Sequence, residues 1–591
     1  MNWLRSEKRF SRRIKFTRKD LVYFLRTSGA SYFLVFSILV GIGAGFGAIF
    51  FRWLIHQFQH LFFVKGETAL GFMGHYYIIL IPAIGGLIIG PLIHFLAREA
   101  KGHGVPEVIN AMVLQGGKIR LRVPFVKAIA SSICIGSGGS VGREGPIIQI
   151  GSAIGSAVGQ FFRLDEEKTK TLVACGAAAG IAATFNAPLG GVFFALEVIL
   201  HEYVLKNLSS VVLSSVTATV ISRHYLGDSP AFHLPAFELY GLSDVPYYFV
   251  LGILAAFTAL LFIKVLYWTE DLFNSFRIPE YTKPAIGGLV IGGIALYYPQ
   301  ILGVGYEVIE SSITQGIALS AVIALVFLKI IATSVTLGSG GSGGIFAPSL
   351  FIGALLGEAF GKLAILVFPH VAIPPGAFAL VGMAAVFAGT SHAPISAILL
   401  LFEMTGNYKI LAPLMLTCVI SVILVRWFNT HSIYTLKLMR KGIDIEKYRV
   451  VDYMEAITVE EAMISHVITV HQTDTVKEVG LKIKTTNHRG FPVLDKTKLL
   501  VGIVTRKDIN RALGKGLAEA EVSRVMTRNI IRCYPEESIK MALHKMAEKN
   551  VGRIPVVKRD DPDHIIGLIT RKSLMQAYNM VLERRNQPQP G

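Results

Sequence analysis

Charged residues are scarce in this sequence. Aspartate, glutamate, lysine and arginine make up 17% of its 591 residues, whereas hydrophobic residues make up 52%. A soluble globular protein usually has about a quarter charged residues. A chain this apolar and this long cannot cover its hydrophobic surface with so few charges. The composition therefore excludes a soluble, a disordered and a fibrous protein, and it indicates that part of the chain lies in a lipid bilayer.

Cysteine is also rare. The chain has four cysteines, Cys134, Cys175, Cys418 and Cys533, and no two of them form a Cys-x-x-Cys pair. Such a set matches neither the disulfide framework of a small secreted domain nor the ligand spacing of a zinc site. We therefore expect inert thiols, no disulfide, no metal site and no required cofactor.

Acidic residues are outnumbered by basic ones, 40 to 58, which gives a net charge of +18. Nine of the basic residues lie in residues 1–26, and an uncharged run over 27–51 follows them. This excess of basic residues could bind a nucleic acid, but basic residues directly before a membrane segment are typical of a flank that lies in the cytoplasm. We expect residues 1–28 to lie in the cytoplasm, and we expect no nucleic-acid partner.

Long apolar runs recur up to about residue 428, and glycine and proline interrupt many of them. Several runs are shorter than the roughly 20 residues that a simple crossing needs. This pattern is typical of broken and re-entrant transporter helices, whose irregular backbone must be buried in protein or line a cavity. From about residue 440 the composition becomes charged and mixed, which predicts a soluble C-terminal domain.

The membrane part contains an internal repeat. The motif Gly-Ser-Gly-Gly-Ser-x-Gly-x-x-x-Pro occurs at residues 136–146 and again at residues 338–348. A Gly-x-Gly turn precedes each copy, and a further matching block follows each. Three blocks in one order indicate two homologous halves, at about 30–225 and 245–430. Equivalent loops of such halves meet at a pseudo-two-fold interface, where transporter substrate sites usually lie. These residues alone leave parallel and inverted halves open.

The C-terminal part is duplicated as well, and each unit is predicted to form a helix, a strand, a helix, two strands and a helix. We place the units at 456–517 and 518–585, after a linker over 441–455 and before a tail at 586–591. The matching residues are Met463, Pro492, Gly502, Thr505 and Arg506 in the first unit and Met526, Pro555, Gly567, Thr570 and Arg571 in the second.

Both glycine-rich loops of the membrane part run directly into apolar helices. Glycine permits tight turns that expose backbone N–H groups, and a helix N-terminus adds a partial positive charge. Together these features favour a weak site for an anion, from which the anion leaves quickly. Close helix packing by small residues is the alternative. A nucleotide-binding loop is excluded, because neither copy has the Lys-Ser/Thr of a Walker motif.

Glu144 stands at the mouth of the first of these helices, directly after Arg143. A carboxylate in a membrane is costly unless it is functional or paired. Its charge would compete with an anion for the same N–H groups, so its protonation would open the site. The alternative is a surface ion pair with Arg143.

Together these motifs resemble the CLC family of chloride channels and chloride/proton exchangers, and the C-terminal part resembles a tandem pair of CBS domains. The matching segments are residues 102–107, 136–146, 185–191 and 338–348, together with Tyr434. The resemblance implies a polytopic α-helical membrane protein with two inverted-topology repeats over residues 29–440, followed by a cytoplasmic α/β CBS-pair domain. It also implies a homodimer in the lipid bilayer, with one anion pathway in each subunit.

The resemblance also assigns roles to single residues. Glu144 takes the place of the family's external gate. The central chloride would be held by the backbone amides of Ile345 and Phe346 and by the hydroxyl of Tyr434. The amides of the outer site, exposed once the glutamate swings away, would be those of Arg143, Glu144 and Gly145.

Two positions depart from the family pattern. His103 replaces a serine whose hydroxyl binds chloride, so we expect altered selectivity, or stronger anion binding in acid if the imidazole is protonated. Val198 follows Glu197 where proton-coupled members have their internal proton-accepting glutamate. Because valine carries no proton, we expect passive, channel-like conduction of chloride, with chloride/proton antiport as the alternative.

The CBS pair resembles a regulatory adenine-nucleotide site. The first copy keeps the family's Gly-h-h-Thr-x-x-Asp motif at residues 502–508. In that motif Asp508 would accept hydrogen bonds from ribose hydroxyls, and Thr505 would donate to a phosphate. The second copy has Ser573 in place of the aspartate, so we expect one standard site at most. A dimerisation module without a ligand is the alternative.

Two other classes of function fit less well. A membrane enzyme would need a metal motif or a nucleophile with its base, and the sequence shows neither. A CBS-regulated divalent-cation transporter would need an acidic cluster, whereas Glu144, Glu197 and Glu403 lie far apart along the chain. We therefore expect no enzymatic activity, and a multi-pass integral membrane protein with both termini in the cytoplasm.

Overall fold

A computed structural model describes most of the chain. The described residues are 31–201, 208–227, 244–369, 373–444, 454, 457–486 and 488–586. They form two compact units, of which the first ends at Ile443 and the second begins at Asp444. The basic segment 1–28, most of the 441–455 linker and nearly all of the 586–591 tail lie outside the described residues.

The first unit is built from helices joined by short turns. Its α-helices are α1 (Ser31–Gln59), α2 (Gly66–Leu70), α3 (Tyr77–Leu96), α4 (Val105–Leu114), α5 (Arg122–Gly136), α6 (Glu144–Phe161), α7 (Glu166–Phe185), α8 (Pro188–Phe194), α9 (Leu208–Leu226), α10 (Val245–Ser275), α11 (Lys283–Ala295), α12 (Tyr306–Thr314), α13 (Leu319–Gly338), α14 (Phe346–Val367), α15 (Pro375–Ser391), α16 (Pro394–Thr405), α17 (Leu411–Phe428) and α18 (Thr435–Arg440). Its other helical turns are His60–Lys65, Gly71–Tyr76, Arg98–Ala100, Ala195–Leu200, Pro299–Ile301 and Tyr408–Ile410.

Five helical stretches of the described chain are long and apolar enough to cross a bilayer. They are Phe33–Leu96, Val245–Ser275, Leu319–Gly338, Phe346–Val367 and Tyr408–Phe428. Shorter apolar helices, such as α4 and α11, accompany them. Large hydrophobic side chains are exposed on the outside of this unit, among them Phe125, Trp268 and Phe327. In water such a surface would be unfavourable, whereas lipid accepts it.

Reciprocal contacts relate the two halves of this unit by a pseudo-two-fold axis. Helices α3 and α11 pack so closely that a Cβ on Gly86 would lie 2.2 Å from the carbonyl oxygen of Pro284. With the halves exchanged, a Cβ on Gly288 would lie 2.3 Å from the carbonyl oxygen of Pro82. Contacts that recur in this exchanged form are the mark of a two-fold relation.

Two glutamates repeat the same reciprocal pattern. Glu403 of α16 accepts hydrogen bonds of 3.0 and 2.7 Å from first-turn amides of α8. Glu197 accepts bonds of 3.3 and 2.8 Å from first-turn amides of α16. A carboxylate satisfies the free N–H groups of a helix N-terminus and interacts well with its dipole. Each glutamate therefore caps a helix of the other half.

The second unit contains two βαβ-like copies. Its elements are α19 (Val459–Ala462), β1 (Val470–His471), α20 (Val476–Thr486), β2 (Gly490–Leu494), β3 (Leu500–Thr505), α21 (Arg506–Gly514), α22 (Ile539–Glu548), β4 (Arg553–Val557), β5 (Ile565–Thr570) and α23 (Arg571–Asn586). Strand β1 is parallel to β2, and the pairs β2–β3 and β4–β5 are antiparallel. The first copy has the predicted order of elements. In the second copy the leading helix is a 3₁₀ turn, Val522–Arg524, and the first strand is a single bridge at Cys533.

Each copy contributes its leading segment to the core of the other copy. Ile457, Val459 and Ala462 pack with buried residues of α22, β4 and β5. Val522, from the start of the second copy, packs with buried residues of α20, β2 and β3. Neither copy completes its hydrophobic core with its own residues, so the two copies form one folding unit.

Candidate functional site

Three glycine-rich loops meet where α4, α6 and α14 begin. Gly142 and Gly344 exchange two backbone hydrogen bonds of 2.7 and 2.6 Å, and Gly102 bridges to the same loop as Gly344. A Cβ on Gly145 would lie 2.2 Å from the carbonyl oxygen of His103. Glycine is therefore required where the loops cross, and it lets the N-termini of three helices converge.

Two buried lysines hold the equivalent turns before α4 and α12, and the sequence analysis missed both of them. Lys127 donates to the carbonyl oxygens of Ala100 and Gly102, at 3.0 and 2.6 Å. Lys329, its equivalent in the second half, donates two bonds of 3.0 Å to carbonyl oxygens of the turn before α12. The available signal was a single lysine in the middle of an apolar run, which is costly in a membrane unless the ammonium has partners.

The side chain of Glu144 lies where the loops converge, and it is fully buried. Its Oε1 accepts a hydrogen bond of 2.5 Å from the hydroxyl of Tyr306. Its Oε2 accepts one of 3.3 Å from the amide of Ala347. The Nε of Arg143 lies 3.9 Å from Oε1. Glu144 is thus not a surface residue, and Arg143 is only one of its neighbours.

The amide of Ala347 belongs to the first turn of α14. N–H groups in the first turn have no acceptor within their own helix, and the helix dipole makes this end attractive to anions. The carboxylate of Glu144 occupies this position. An external anion would need the same N–H groups, so an ionised Glu144 competes with it directly.

The residues expected at a central anion site lie together in a buried cluster. Tyr434 is at the start of α18, and its ring centroid lies 5.9 Å from that of His103 and 6.5 Å from that of Phe194. Phe194 in turn lies 6.4 Å from the ring of Phe346. Ile345 is the N-cap of α14 and Phe346 is its first residue, so both amides belong to the same helix end.

His103 is buried in a turn between two glycines of positive φ, Gly102 at 78° and Gly104 at 84°. Only glycine adopts this backbone readily. Among the described residues, the Nδ1 atom of His103 has no hydrogen-bond partner. Buried polar atoms in proteins are almost always satisfied, so this nitrogen is available to a ligand or a water molecule.

The residues expected at the outer anion site surround the N-terminus of α6. Arg143 is its N-cap, and Glu144 and Gly145 are its first two residues. The guanidinium carbon of Arg143 lies 5.0 Å from the ring centroid of Tyr306. Tyr306 is the second functional candidate that the sequence analysis missed, although its place directly after the Gly303-x-Gly305 turn was visible in the repeat.

Val198 is the second position that departs from the family pattern. It is buried in the helical turn Ala195–Leu200, and its neighbour Glu197 caps α16. The position at which proton-coupled relatives were expected to have a carboxylate is therefore apolar.

In the second unit, Thr505 and Asp508 form the capping box at the start of α21. A carboxylate oxygen of Asp508 accepts bonds of 2.6 and 3.1 Å from the hydroxyl and the amide of Thr505. In the second copy the hydroxyl of Ser573 accepts a bond of 3.0 Å from the amide of Thr570. Helix capping explains these hydrogen bonds in both copies. A bound nucleotide would therefore have to use groups that already cap a helix.

The chain is similar to known proteins over most of its length. A family model described as "Voltage gated chloride channel" matches residues 85–426, and a model of the CBS domain matches residues 459–515 and 522–579. The "H(+)/Cl(-) exchange transporter ClcA" of Vibrio parahaemolyticus is 33% identical over 448 residues, which cover 74% of this chain and 96% of the relative. The "Putative chloride channel protein ClcB-like" of Ralstonia nicotianae is 31% identical over 416 residues, covering 69% and 96%.

A solved structure, described as a slow cyanobacterial Cl⁻/H⁺ antiporter, has the same fold. Its TM-score is 0.64 at 28% sequence identity, and the match covers 69% of this chain and 97% of that one.

Proposed function

Since the chain belongs to the CLC family of integral membrane proteins, which transport anions, we propose that it exchanges chloride for protons across a membrane. The sequence alone favoured passive conduction, because Val198 carries no proton. The names of the Vibrio relative and of the cyanobacterial antiporter support the alternative, antiport. Passive conduction remains the second candidate, supported by Val198 and by the relative named as a chloride channel.

The buried carboxylate of Glu144 supports the proposal most directly. It lies on the amide of Ala347, at the N-terminus that an anion would use. When ionised, Glu144 closes the pathway. When it takes up a proton, its hold on the amide weakens and chloride replaces it. One group that both excludes chloride and binds a proton couples the two movements.

We assign the central chloride to the amides of Ile345 and Phe346, the hydroxyl of Tyr434 and the imidazole of His103. The buried cluster that these residues form at the start of α14 supports the assignment. We assign the outer site to the amides of Arg143, Glu144 and Gly145. Backbone dipoles and neutral donors bind weakly enough to release the ion quickly.

A chloride gradient across liposomes tests the exchange. With the protein reconstituted and internal pH recorded beside chloride efflux, we expect protons to move against their own gradient in the opposite direction to chloride. Glu144→Gln should pass chloride without protons, because glutamine has the same shape and no exchangeable charge. Chloride efflux from the wild type without proton movement contradicts exchange and establishes passive conduction.

We also propose that the CBS pair regulates transport by binding an adenine nucleotide at Thr505 and Asp508. The retained motif of the first copy supports this site. Family membership supports a homodimer, and the basic segment 1–28 supports a cytoplasmic N-terminus, with the CBS pair on the same side. The mass of the solubilised particle and protease access to both ends in sealed vesicles test these two statements.

A further inference from the structure

A tyrosine from the second half holds the carboxylate of Glu144. Tyr306 is the first residue of α12, and Gly305 precedes it with a φ of 86°. The hydroxyl of Tyr306 lies 2.5 Å from Oε1 of Glu144. This is shorter than the 3.3 Å contact to the amide of Ala347 and the 3.9 Å contact to Arg143. The hydroxyl is therefore the closest of these three partners of the carboxylate.

Two further contacts aim the hydroxyl at Glu144. The guanidinium of Arg143 lies over the ring of Tyr306, 5.0 Å from its centroid, in a cation–π geometry. Lys329 donates a bond of 3.0 Å to the carbonyl oxygen of Gly303, in the turn that leads into α12. Both the ring and the backbone of Tyr306 are thus held in place, as a positioning residue requires.

The pseudo-two-fold symmetry of the fold does not require this hydroxyl. In the register of the internal repeat, Val105 is equivalent to Tyr306 and Phe346 is equivalent to Glu144. The symmetry-related pair, Val105 with Phe346, therefore consists of two apolar side chains, and both are buried. The polar pair occurs only on the side of the site that carries the proposed gate, so it serves that side and not the packing of the repeat.

We propose that Tyr306 is the latch of the gate, a positioning residue whose hydroxyl holds ionised Glu144 over the amide of Ala347. The inference rests on the proposed gating by Glu144. A hydroxyl binds a carboxylate more strongly than a neutral acid, so the latch favours the charged, closed state and releases the side chain on protonation. The charged and titratable groups that face this carboxylate are Arg143, Tyr306 and Tyr434, with Arg52 beside Arg143 and Tyr306.

Tyr306→Phe, which removes the hydroxyl and keeps the ring, tests the latch. Chloride efflux from liposomes is measured over a series of pH values for the wild type, Tyr306→Phe, Glu144→Gln and the double variant. We expect Tyr306→Phe to reach half-maximal flux at a proton concentration about tenfold lower than the wild type, because the charged carboxylate has lost its closest donor. In the Glu144→Gln background the same change should leave the pH profile unaltered, since no carboxylate is left to hold.

Tyr267→Phe is the matched control. Its hydroxyl also makes a bond of 2.5 Å, but to the carbonyl oxygen of Ile433, so its loss should leave the midpoint where it is in the wild type. At the acid end, where Glu144 is protonated, flux through Tyr306→Phe should equal that of the wild type.

Three results would overturn the latch. They are an unchanged pH midpoint in Tyr306→Phe, an equal shift in the presence and absence of the Glu144 carboxylate, and a loss of flux through Tyr306→Phe at the acid end. The last result would give the hydroxyl a structural role. Failure of the gating proposal looks different, because Glu144→Gln alone would then keep the pH dependence of the wild type.

Discussion

At the scale of single residues, His103 is the departure from the family pattern that lies at the proposed central anion site. Its ring lies beside that of Tyr434, and its Nδ1 has no partner among the described residues. Burial disfavours a charge on this imidazole, and the lysines Lys437, Lys127 and Lys441 repel a further positive charge. Of the two effects expected from the sequence, the structure therefore favours altered selectivity over stronger binding in acid.

His103→Ser should restore a compact hydroxyl and raise the preference for chloride over a larger anion such as nitrate, by about fivefold for one hydrogen bond. Competition between the two anions in liposome flux measures this ratio. The control is His392→Asn, because His392 is a partly buried histidine at a helix end and its equivalent in the first half is Asn186, which has the same left-handed backbone. An unchanged ratio in His103→Ser, or the same change in His392→Asn, contradicts a role for His103 in selectivity.

At the scale of elements, the proposed adenine-nucleotide site shares its residues with the capping box of α21. Asp508 both caps this helix and is the proposed ribose acceptor, so its removal would mix the loss of binding with a loss of stability. The second copy suggests a substitution that separates the two effects, because Ser573 caps α23 from the position equivalent to Asp508.

Asp508→Ser should keep the cap and lose the carboxylate. We expect the affinity of the full chain for an adenine nucleotide to fall roughly tenfold or more, as for the loss of a hydrogen bond to a charged group, while the thermal unfolding midpoint stays close to that of the wild type. Titration calorimetry and thermal unfolding measure the two quantities. Wild-type protein that binds no nucleotide, or a variant that binds as well as the wild type, contradicts the assignment.

Much of the element pattern was predictable from local sequence. The interrupted apolar runs end close to the observed helices, and the duplicated tail gave the element order of the first CBS copy. The predicted fold class, a CLC membrane domain followed by a CBS pair, is confirmed. The exchange of leading segments was not predictable, because Val459 and Val522 pack with residues far along the chain. Sequence spacing carries no information on such long-range packing.

The same limit applies to the site. The glycine motifs and Glu144 stood out because a carboxylate and repeated glycines are unusual in apolar segments. Tyr306, Lys127 and Lys329 act through contacts with loops distant in sequence, and a tyrosine or lysine alone does not show which carboxyl or carbonyl it will meet.

At the scale of the whole molecule, two similar halves build a site whose two sides differ. Reciprocal glycine contacts and glutamate caps keep the halves symmetric. The first half contributes Glu144 to the convergence of helix N-termini, and the second contributes the amide of Ala347 and the hydroxyl of Tyr306. We propose that these groups form a gate between the halves, which opens when the carboxylate of Glu144 is protonated.

The pH dependence of chloride efflux from liposomes, compared between the wild type and Glu144→Gln, tests that claim most directly. Flux through the wild type should rise as the pH falls, because protonation removes the charge that competes with chloride for the amide of Ala347. Flux through Glu144→Gln should be high and independent of pH. A Glu144→Gln variant whose flux still falls with rising pH as in the wild type would contradict the account.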